Sequence, residues 1–384
     1  MGAISRCDVQ LSKSELILYA VSFLVSAVSG LLTAITPVRA LEIGGGPIEL
    51  GLLGSLGPLI YSPTTILAGM ISDRFGRKPF VVLSTLLYAL ACAMYYFSKD
   101  IPCMLFSRCL EGLSLAILWP PLESLLSRVS PKDPQEITSK FGISWSSGSS
   151  LGALTASVSI STMTFETATA SSVLVLILCT LATLFIPKET SKTSFVKRMD
   201  METKKSTSEL MAWALAFTYS FSQGVAFFIY PAFSDLLGNP PVVSLLLSSS
   251  VMLGRTLAFG AGKTLTSKVN LGLILIFASA AILPIATASP YPSVFLTGLL
   301  FGLGVGICYL ASLDFAVHSS LSDRGKYTGR FEGSLGIGYL VGPIAAGVIF
   351  PITPLAPFIL TLSLNTGLLA LNLTKKRCEV LRVH

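Results

Sequence analysis

The amino-acid sequence predicts an all-α membrane protein with twelve transmembrane helices in two pseudo-symmetric six-helix bundles. Three observations predict this fold: an apolar composition, a series of apolar segments of helix length, and an internal repeat. Of the 384 residues, 52% are hydrophobic and only 12% are charged. A soluble domain carries roughly twice that charged fraction, so lipid is the main solvent of this chain.

Charged and Gly/Pro-rich stretches separate twelve apolar segments of about 20 residues, the length that a bilayer core of about 30 Å requires. Lipid offers no partner to a free backbone amide, so each segment must be helical. The predicted spans are residues 15–36, 49–71, 79–97, 101–127, 140–162, 167–186, 209–233, 242–262, 269–288, 292–317, 331–352 and 354–373.

The chain contains two copies of one unit. At a shift of 194 residues, residues 15–56 overlay 209–250 with 13 identities in 42 positions and no gap. The identities include Glu15 with Glu209 and Pro37 with Pro231, which shared apolar composition does not readily supply. At a shift of 190, the Phe, Ser and Gly pattern that begins at Lys140 recurs from Arg330.

The repeat predicts three parts of the chain. Residues 1–186 form an N-terminal six-helix bundle, and residues 209–384 form a C-terminal six-helix bundle with a short cytoplasmic tail. Residues 187–208 form a basic cytoplasmic linker, too polar to be a span and too short to be a domain.

The basic residues predict the orientation. With twelve spans, 23 of the 27 Lys and Arg lie in the termini and the even-numbered loops. Only Arg39 and Lys99 lie on the other side, and Arg108 and Arg255 lie inside spans. By the positive-inside rule, both termini are cytoplasmic and the protein lies in the plasma or inner membrane. The net charge of +7 is therefore a signal of topology and gives no reason to expect nucleic-acid binding.

A short charged turn separates the second and third spans. It combines Asp73 with two glycines and three bases, namely Gly69, Gly76, Arg74, Arg77 and Lys78. An ordinary basic turn would need the bases but neither Asp73 nor the glycines. The stretch from Gly69 to Lys78 resembles the signature loop between helices 2 and 3 of the major facilitator superfamily (MFS). The motif pattern is most similar to the branch of drug and metabolite proton antiporters.

This resemblance implies a secondary transporter whose two bundles rock around a site at the membrane midplane. It also implies a conformational latch. The loop acid docks against the start of span 11 when the cytoplasmic side is closed, and the loop arginine pairs with an acid at the inner end of span 4. Glu123 occupies that place, and Asp314 lies at a similar height on span 10.

Arg108 and Glu111 are candidates for proton coupling. The segment from Arg108 to Gly112 resembles a second family motif, Arg-x-x-x-Gly, which is associated with proton-coupled exporters. Arg108 lies about 10 Å below the outer edge of span 4, and Glu111 lies at i+3 on nearly the same face. Two interpretations remain open: a titrating proton site, or a neutral structural ion pair.

Regularly spaced small residues on spans 5 and 11 predict close helix packing in lipid. They resemble the glycine motif of the family's exporters, although span 5 has no proline. The packing candidates are Gly112, Gly148, Gly152, Gly338, Gly342, Pro343 and Gly347.

Spans 1, 7 and 8 supply the candidates for the substrate cavity. These are Ser26, Tyr219, Gln223, Phe227, Tyr230 and Arg255. An apolar and aromatic wall with a few polar points suits an amphipathic organic solute. Arg255 either extends to the membrane interface or contacts an anionic substrate. The acid in span 1 that is typical of drug exporters is missing.

The predicted function is secondary active transport of a small organic or drug-like solute, by proton-coupled export. The alternatives are an organic-anion uptake or exchange permease and, from another class, a transporter-like receptor or membrane scaffold. No nucleophile–base pair or metal-ligand spacing indicates an enzyme, and no metal or cofactor is expected. The expected partners are the substrate, protons and the lipid bilayer, with the protein a monomer.

Overall fold

The computed structural model describes residues 6–130, 134–159, 162–187, 209–288, 291–318 and 324–383. Nearly all of the predicted linker lies outside these residues. In the first half of the chain the helices are α1 (Arg6–Glu42), α2 (Pro47–Phe75), α3 (Arg77–Phe97), α4 (Ile101–Val129), α5 (Pro134–Val158) and α6 (Phe165–Leu184).

In the second half, α7 (Glu209–Gly224) continues through a π-helical segment (Val225–Ile229) into α8 (Tyr230–Leu236). The remaining helices are α9 (Val242–Ala261), α10 (Lys263–Thr266), α11 (Val269–Thr287), α12 (Tyr291–His318), α13 (Arg324–Ile349) and α14 (Ala356–Val383). The described residues contain no strand, and the predicted all-α membrane fold is confirmed.

Eleven helical segments of the described part are long and apolar enough to cross a membrane. They correspond to all predicted spans except the fifth. That span is α5, a helix of 25 residues whose many serines lower its hydropathy.

The described residues form two compact units. The first unit lies within Met1–Arg39 and Leu56–Lys197, and the second within Ala40–Ser55 and Arg198–His384. The start of α2 therefore packs with the second unit, where the Ser55 hydroxyl donates to the carbonyl oxygen of Leu340 at 2.6 Å. The sequence repeat alone gives no reason to expect this assignment.

In the first unit, α1 and α5 approach each other at glycines. A Cβ atom on Gly148 would collide with the backbone of Phe23, and one on Gly152 would collide with the backbone of Ala27. Only glycine allows two helix backbones to come this close, and such contacts are a main source of helix association in lipid.

The second unit repeats this packing between α7 and α13. A Cβ atom on Gly338 would meet the backbone of Phe217, and one on Gly342 would meet the backbone of Phe221. These four residues are the counterparts of Gly148, Phe23, Gly152 and Ala27 at the two shifts found in the sequence. The two units thus share their helix contacts as well as their sequence pattern.

A third pair of equivalent contacts joins α4 to α2 and α12 to α9. Gly112 lies against the backbone of Gly57, and Gly302 lies against the backbone of Val251. The contact at Gly57 places α2 beside the charged face of α4.

The π-helical segment divides the seventh predicted span. Pro231 has no N–H, so the α-helical hydrogen bond to the carbonyl of Phe227 cannot form. At the preceding residue, the Tyr230 N–H donates to the carbonyl of Val225, five residues earlier, which is the hydrogen bond of a π-helix. Pro37, the counterpart of Pro231, lies within an uninterrupted α-helix, so the proline alone does not predict the π-helical segment.

We expect Gly148→Ala and Gly338→Ala each to lower thermal stability in detergent, by about 1–3 kcal/mol, because the added methyl group forces two backbones apart. Thermal unfolding of the purified protein measures the effect.

Gly142→Ala and Gly333→Ala are matched controls in α5 and α13, because no atom lies within 4 Å of an added Cβ there. These controls should keep or raise the melting temperature, since alanine is the better helix former. Equal losses for all four variants would contradict the packing account.

Candidate functional site

The loop between α2 and α3 turns at Gly76, whose φ of 90° lies in the region that L side chains rarely adopt. Arg77, the first residue of α3, donates from its Nη2 to Oδ1 of Asp73, in the last turn of α2, at 2.6 Å. The Arg77 side chain is 9% exposed, and its Nε and Nη1 atoms are buried without a hydrogen-bond partner. The loop thus holds a buried guanidinium with donors still available.

The expected pairing of Arg77 with Glu123 is not present, because Arg77 pairs with Asp73 instead. Glu123 is exposed near the end of α4, and Asp314 is partly buried on α12 in the other unit. Arg74 is exposed, and a Cβ atom added to Gly69 would lie 3.8 Å from Pro120 Cβ.

Lys78 fixes the end of α6 to the loop. Its Nζ donates to the carbonyl oxygen of Leu184 at 2.8 Å and also to that of Ile186. A cation at a helix C-terminus also complements the helix dipole. The predicted loop residue therefore has a clear local role inside the first unit.

Arg108 and Glu111 form an ion pair inside the first unit, with 2.8 Å between Arg108 Nη1 and Glu111 Oε2. The side chains are 11% and 1% exposed, so the pair is almost wholly buried. A buried pair is costly to desolvate, and removal of either partner leaves an uncompensated charge.

Two tyrosines of α3 complete the surroundings of Glu111. Tyr88 donates its hydroxyl to Glu111 Oε1 at 3.3 Å, and Tyr95 donates to Glu111 Oε2 at 3.1 Å. Both tyrosines are buried. The carboxylate thus receives donors on both oxygens, from a neighbouring helix as well as from its own.

Gly57 on α2 limits the position of Arg108. A Cβ atom at Gly57 would lie 3.1 Å from Arg108 Nε. The absence of a side chain at residue 57 therefore leaves room for the guanidinium beside Glu111.

A second cluster of buried polar side chains lies in the second unit. Arg255 is 4% exposed, and its Nη1 lies 3.5 Å from the hydroxyl of Tyr219. Gln223 is fully buried one turn after Tyr219, and its Oε1 accepts from the hydroxyl of Tyr339 at 3.0 Å. The side chain of Arg255 is therefore enclosed by the second unit.

The other cavity candidates are more dispersed. Phe227 lies buried in the π-helical segment, and the Tyr230 hydroxyl accepts from Thr287 Oγ1 at 3.1 Å. Ser26 belongs to the first unit, where its buried hydroxyl has no hydrogen-bond partner. No described hydrogen bond joins these residues to Arg255, Tyr219, Gln223 or Tyr339.

Sequence reasoning missed Tyr88, Tyr95, Tyr339 and Gly57. Tyr88 and Tyr95 are seven residues apart, so they lie on one face of a helix, and this spacing was the available signal. Tyr339 and Gly57 gave no such signal, because their roles depend on residues far away in the sequence.

Comparison with known proteins decides the family. The sequence model of the Major Facilitator Superfamily matches residues 18–321. The chain belongs to the major facilitator superfamily. The resemblance inferred from the charged loop is thereby confirmed.

Relatives and solved structures agree with this assignment. A multidrug resistance protein, MdtH of Shigella dysenteriae serotype 1 (strain Sd197), is 24% identical over 322 residues, covering 80% of this chain and 79% of the relative. The crystal structure of nucleoside transporter NupG matches with a TM-score of 0.73 at 13% identity, covering 94% of this chain and 99% of that one.

A POT family transporter in complex with 5-aminolevulinic acid matches with a TM-score of 0.74 at 12% identity, covering 94% and 95% of the two chains. At these identities the structural matches establish the fold. Membership of the family establishes a multi-pass membrane protein that transports solutes.

We expect Arg108→Met and Glu111→Leu each to destabilise this MFS transporter by about 3–5 kcal/mol, because each leaves one buried charge unpaired. The double variant should be more stable than either single variant, because it removes both charges. Thermal unfolding of the three proteins gives the coupling, and simply additive losses would show that the two side chains do not interact.

Proposed function

We propose that this MFS transporter exports a small organic or drug-like solute in exchange for protons, through alternating access. The observation that carries the proposal is the buried pair of Arg108 and Glu111, together with the tyrosine hydroxyls that hold Glu111. Charges inside the membrane are costly, and they usually mark ion or substrate pathways.

The pair suits proton exchange because its two charges depend on each other. A proton on Glu111 would remove the negative charge that pairs with Arg108, which would weaken the attraction between the two side chains and let the guanidinium shift. Return of Arg108 to within 2.8 Å of the carboxylate would restore the ion pair after the proton has left.

Tyr88 and Tyr95 would keep the carboxylate in place while Arg108 moves. Each approaches from α3, and each contacts a different oxygen of Glu111. The acid would therefore stay oriented in both protonation states.

The direction of transport and the type of solute are inferred from two further observations. The relative described above is named a multidrug resistance protein. The glycine-based contacts of α5 with α1 resemble the exporter motif of the family. Both favour export of an organic solute.

We expect Glu111→Gln to abolish accumulation of solute driven by a pH gradient in proteoliposomes but to preserve counterflow exchange. The amide keeps an acceptor for Arg108 and the tyrosines but cannot release a proton. The assay uses whichever member of a panel of cationic, neutral and anionic solutes the wild-type protein accumulates.

Glu166→Gln is the matched control, because Glu166 also pairs with an arginine, Arg39, at 3.1 Å but is 42% exposed. This control should keep gradient-driven transport. If Glu111→Gln accumulates solute with unchanged pH dependence, the proton site lies elsewhere or transport is uncoupled.

We also propose that the loop between α2 and α3 acts as a conformational latch. The support is the buried Arg77 guanidinium, which has one ion pair with Asp73 and two donor atoms without partners. These donors could take an acceptor, such as Glu123, in another state of the transport cycle.

Asp73→Asn should slow turnover and raise the reactivity of cysteines introduced at cytoplasmic cavity positions, with little loss of folded protein. Glu136→Gln is the control, because it breaks another i,i+4 ion pair, with Lys140 at 2.6 Å. Normal transport and unchanged cysteine reactivity in Asp73→Asn would count against the latch.

We propose that the protein lies in the inner or plasma membrane and that both termini face the cytoplasm. This orientation rests on the distribution of basic residues. Reporter fusions after residues 200 and 376 should both lie in the cytoplasm. External reporters at both points would reverse the proposed orientation, and an external reporter at only one point would contradict the number of spans.

A further inference from the structure

We propose that the Arg255 cluster of the second unit binds the carboxylate of an organic acid with an apolar or aromatic body. This inference rests on the proposed transport function and names the class of solute. We define the cluster by Arg255, Tyr219, Gln223 and Tyr339.

The cluster is continuous. Arg255 Nη1 contacts the Tyr219 hydroxyl at 3.5 Å, and the Tyr219 and Tyr339 rings meet edge to face with 6.2 Å between centroids. The Tyr339 hydroxyl donates to Gln223 Oε1 at 3.0 Å. Tyr219 and Gln223 share one face of α7, since they are four residues apart.

Gln223 presents an unused hydrogen-bond donor within the cluster. Its side chain is fully buried, and its Nε2 has no hydrogen-bond partner. A buried donor without a partner is costly and calls for an explanation, and a bound ligand would supply the acceptor that Nε2 lacks. Because Tyr339 already occupies the oxygen, the free group of this amide is a donor.

The amide donor of Gln223 and the positive charge of Arg255 favour an anionic ligand. The guanidinium of Arg255 is permanently positive and presents only donors, and its attraction for an anion is strong in a buried site. An amide N–H and a guanidinium are both donors, and carboxylate oxygens accept from both. An amine would find positive charge and donors in the same place.

The walls of the cluster are aromatic. Tyr309 lies between Tyr219 and Phe259, with ring centroids 4.8 Å and 5.1 Å away, and it also contacts Phe331 at 5.3 Å. Such walls favour an apolar or aromatic body on the acid.

The π-helical segment is an independent observation at the same place. It begins at Val225, two residues after Gln223. Segments of this kind occur often at functional sites, because they re-aim side chains within a helix.

The test compares three probes of one shape on the purified full chain: 3-phenylpropionate, 3-phenylpropionamide and 3-phenylpropylamine. Only the acid should raise the melting temperature of the wild-type protein. Gln223→Leu should weaken the acid about tenfold or more, the effect of losing a hydrogen bond to a charged group. Arg255→Lys should also weaken it, because lysine keeps the charge but lacks the planar fork.

Asn239→Leu is the control, because this amide of the same unit already donates to the Thr287 carbonyl at 3.2 Å. It should leave the response to the acid unchanged. Equal shifts with all three probes, no shift with the acid, or a full response in both Gln223→Leu and Arg255→Lys would overturn the inference.

The outcome is separable from that of the proton-exchange proposal, because no pH gradient is present. A protein that fails this binding test but loses gradient-driven transport in Glu111→Gln would retain the proposed function. Binding of the acid without any effect of Glu111→Gln would support the carboxylate site and reject proton exchange at Glu111.

Discussion

Close contact between helix backbones is the constraint on which each unit of this transporter depends. Lipid is as apolar as a leucine side chain, so helices in a membrane gain little by burying such residues against one another. They gain contact by approaching closely, which requires glycine at the point of approach. Gly148 and Gly152 meet this requirement for α5, and Gly338 and Gly342 meet it for α13. The same rule acts at Gly112 and Gly57, where it also leaves room for Arg108.

The two units share this packing but differ in their charges. At the shift that aligns the glycines, Arg108 corresponds to Gly298 and Glu111 to Phe301. At the other shift, of 194 residues, Arg255 corresponds to Tyr61. The first unit therefore carries a buried ion pair, and the second carries a buried cation among tyrosines and an amide. This division fits a transporter in which proton exchange and solute recognition use different halves of a duplicated scaffold.

The sequence predicted what depends on local pattern or on the repeat. Span length, the glycine registers and the i,i+3 pairing of Arg108 with Glu111 can all be read along one helix, and the structure has them. The π-helical segment was not predictable, because Pro231 and its counterpart Pro37 are equivalent in sequence but only the former has such a segment beside it. The contacts of Glu111 with Tyr88 and Tyr95, and of Gln223 with Tyr339, join different helices. One sequence taken by itself does not show which residues of different helices contact each other. The same limit applies to Arg77, whose partner was expected on α4 but is Asp73 in the last turn of α2.

In the proposed mechanism, solute and protons move in opposite directions through the same protein. The most direct test of this mechanism is internal pH, recorded with a trapped fluorescent indicator in proteoliposomes that contain the wild-type protein. A gradient of the transported solute is imposed while the pH is initially equal on both sides. The account predicts that solute leaving the vesicles draws protons in, so that the interior acidifies at a rate that follows the solute flux. Solute flux of the same size with no change in internal pH would contradict it.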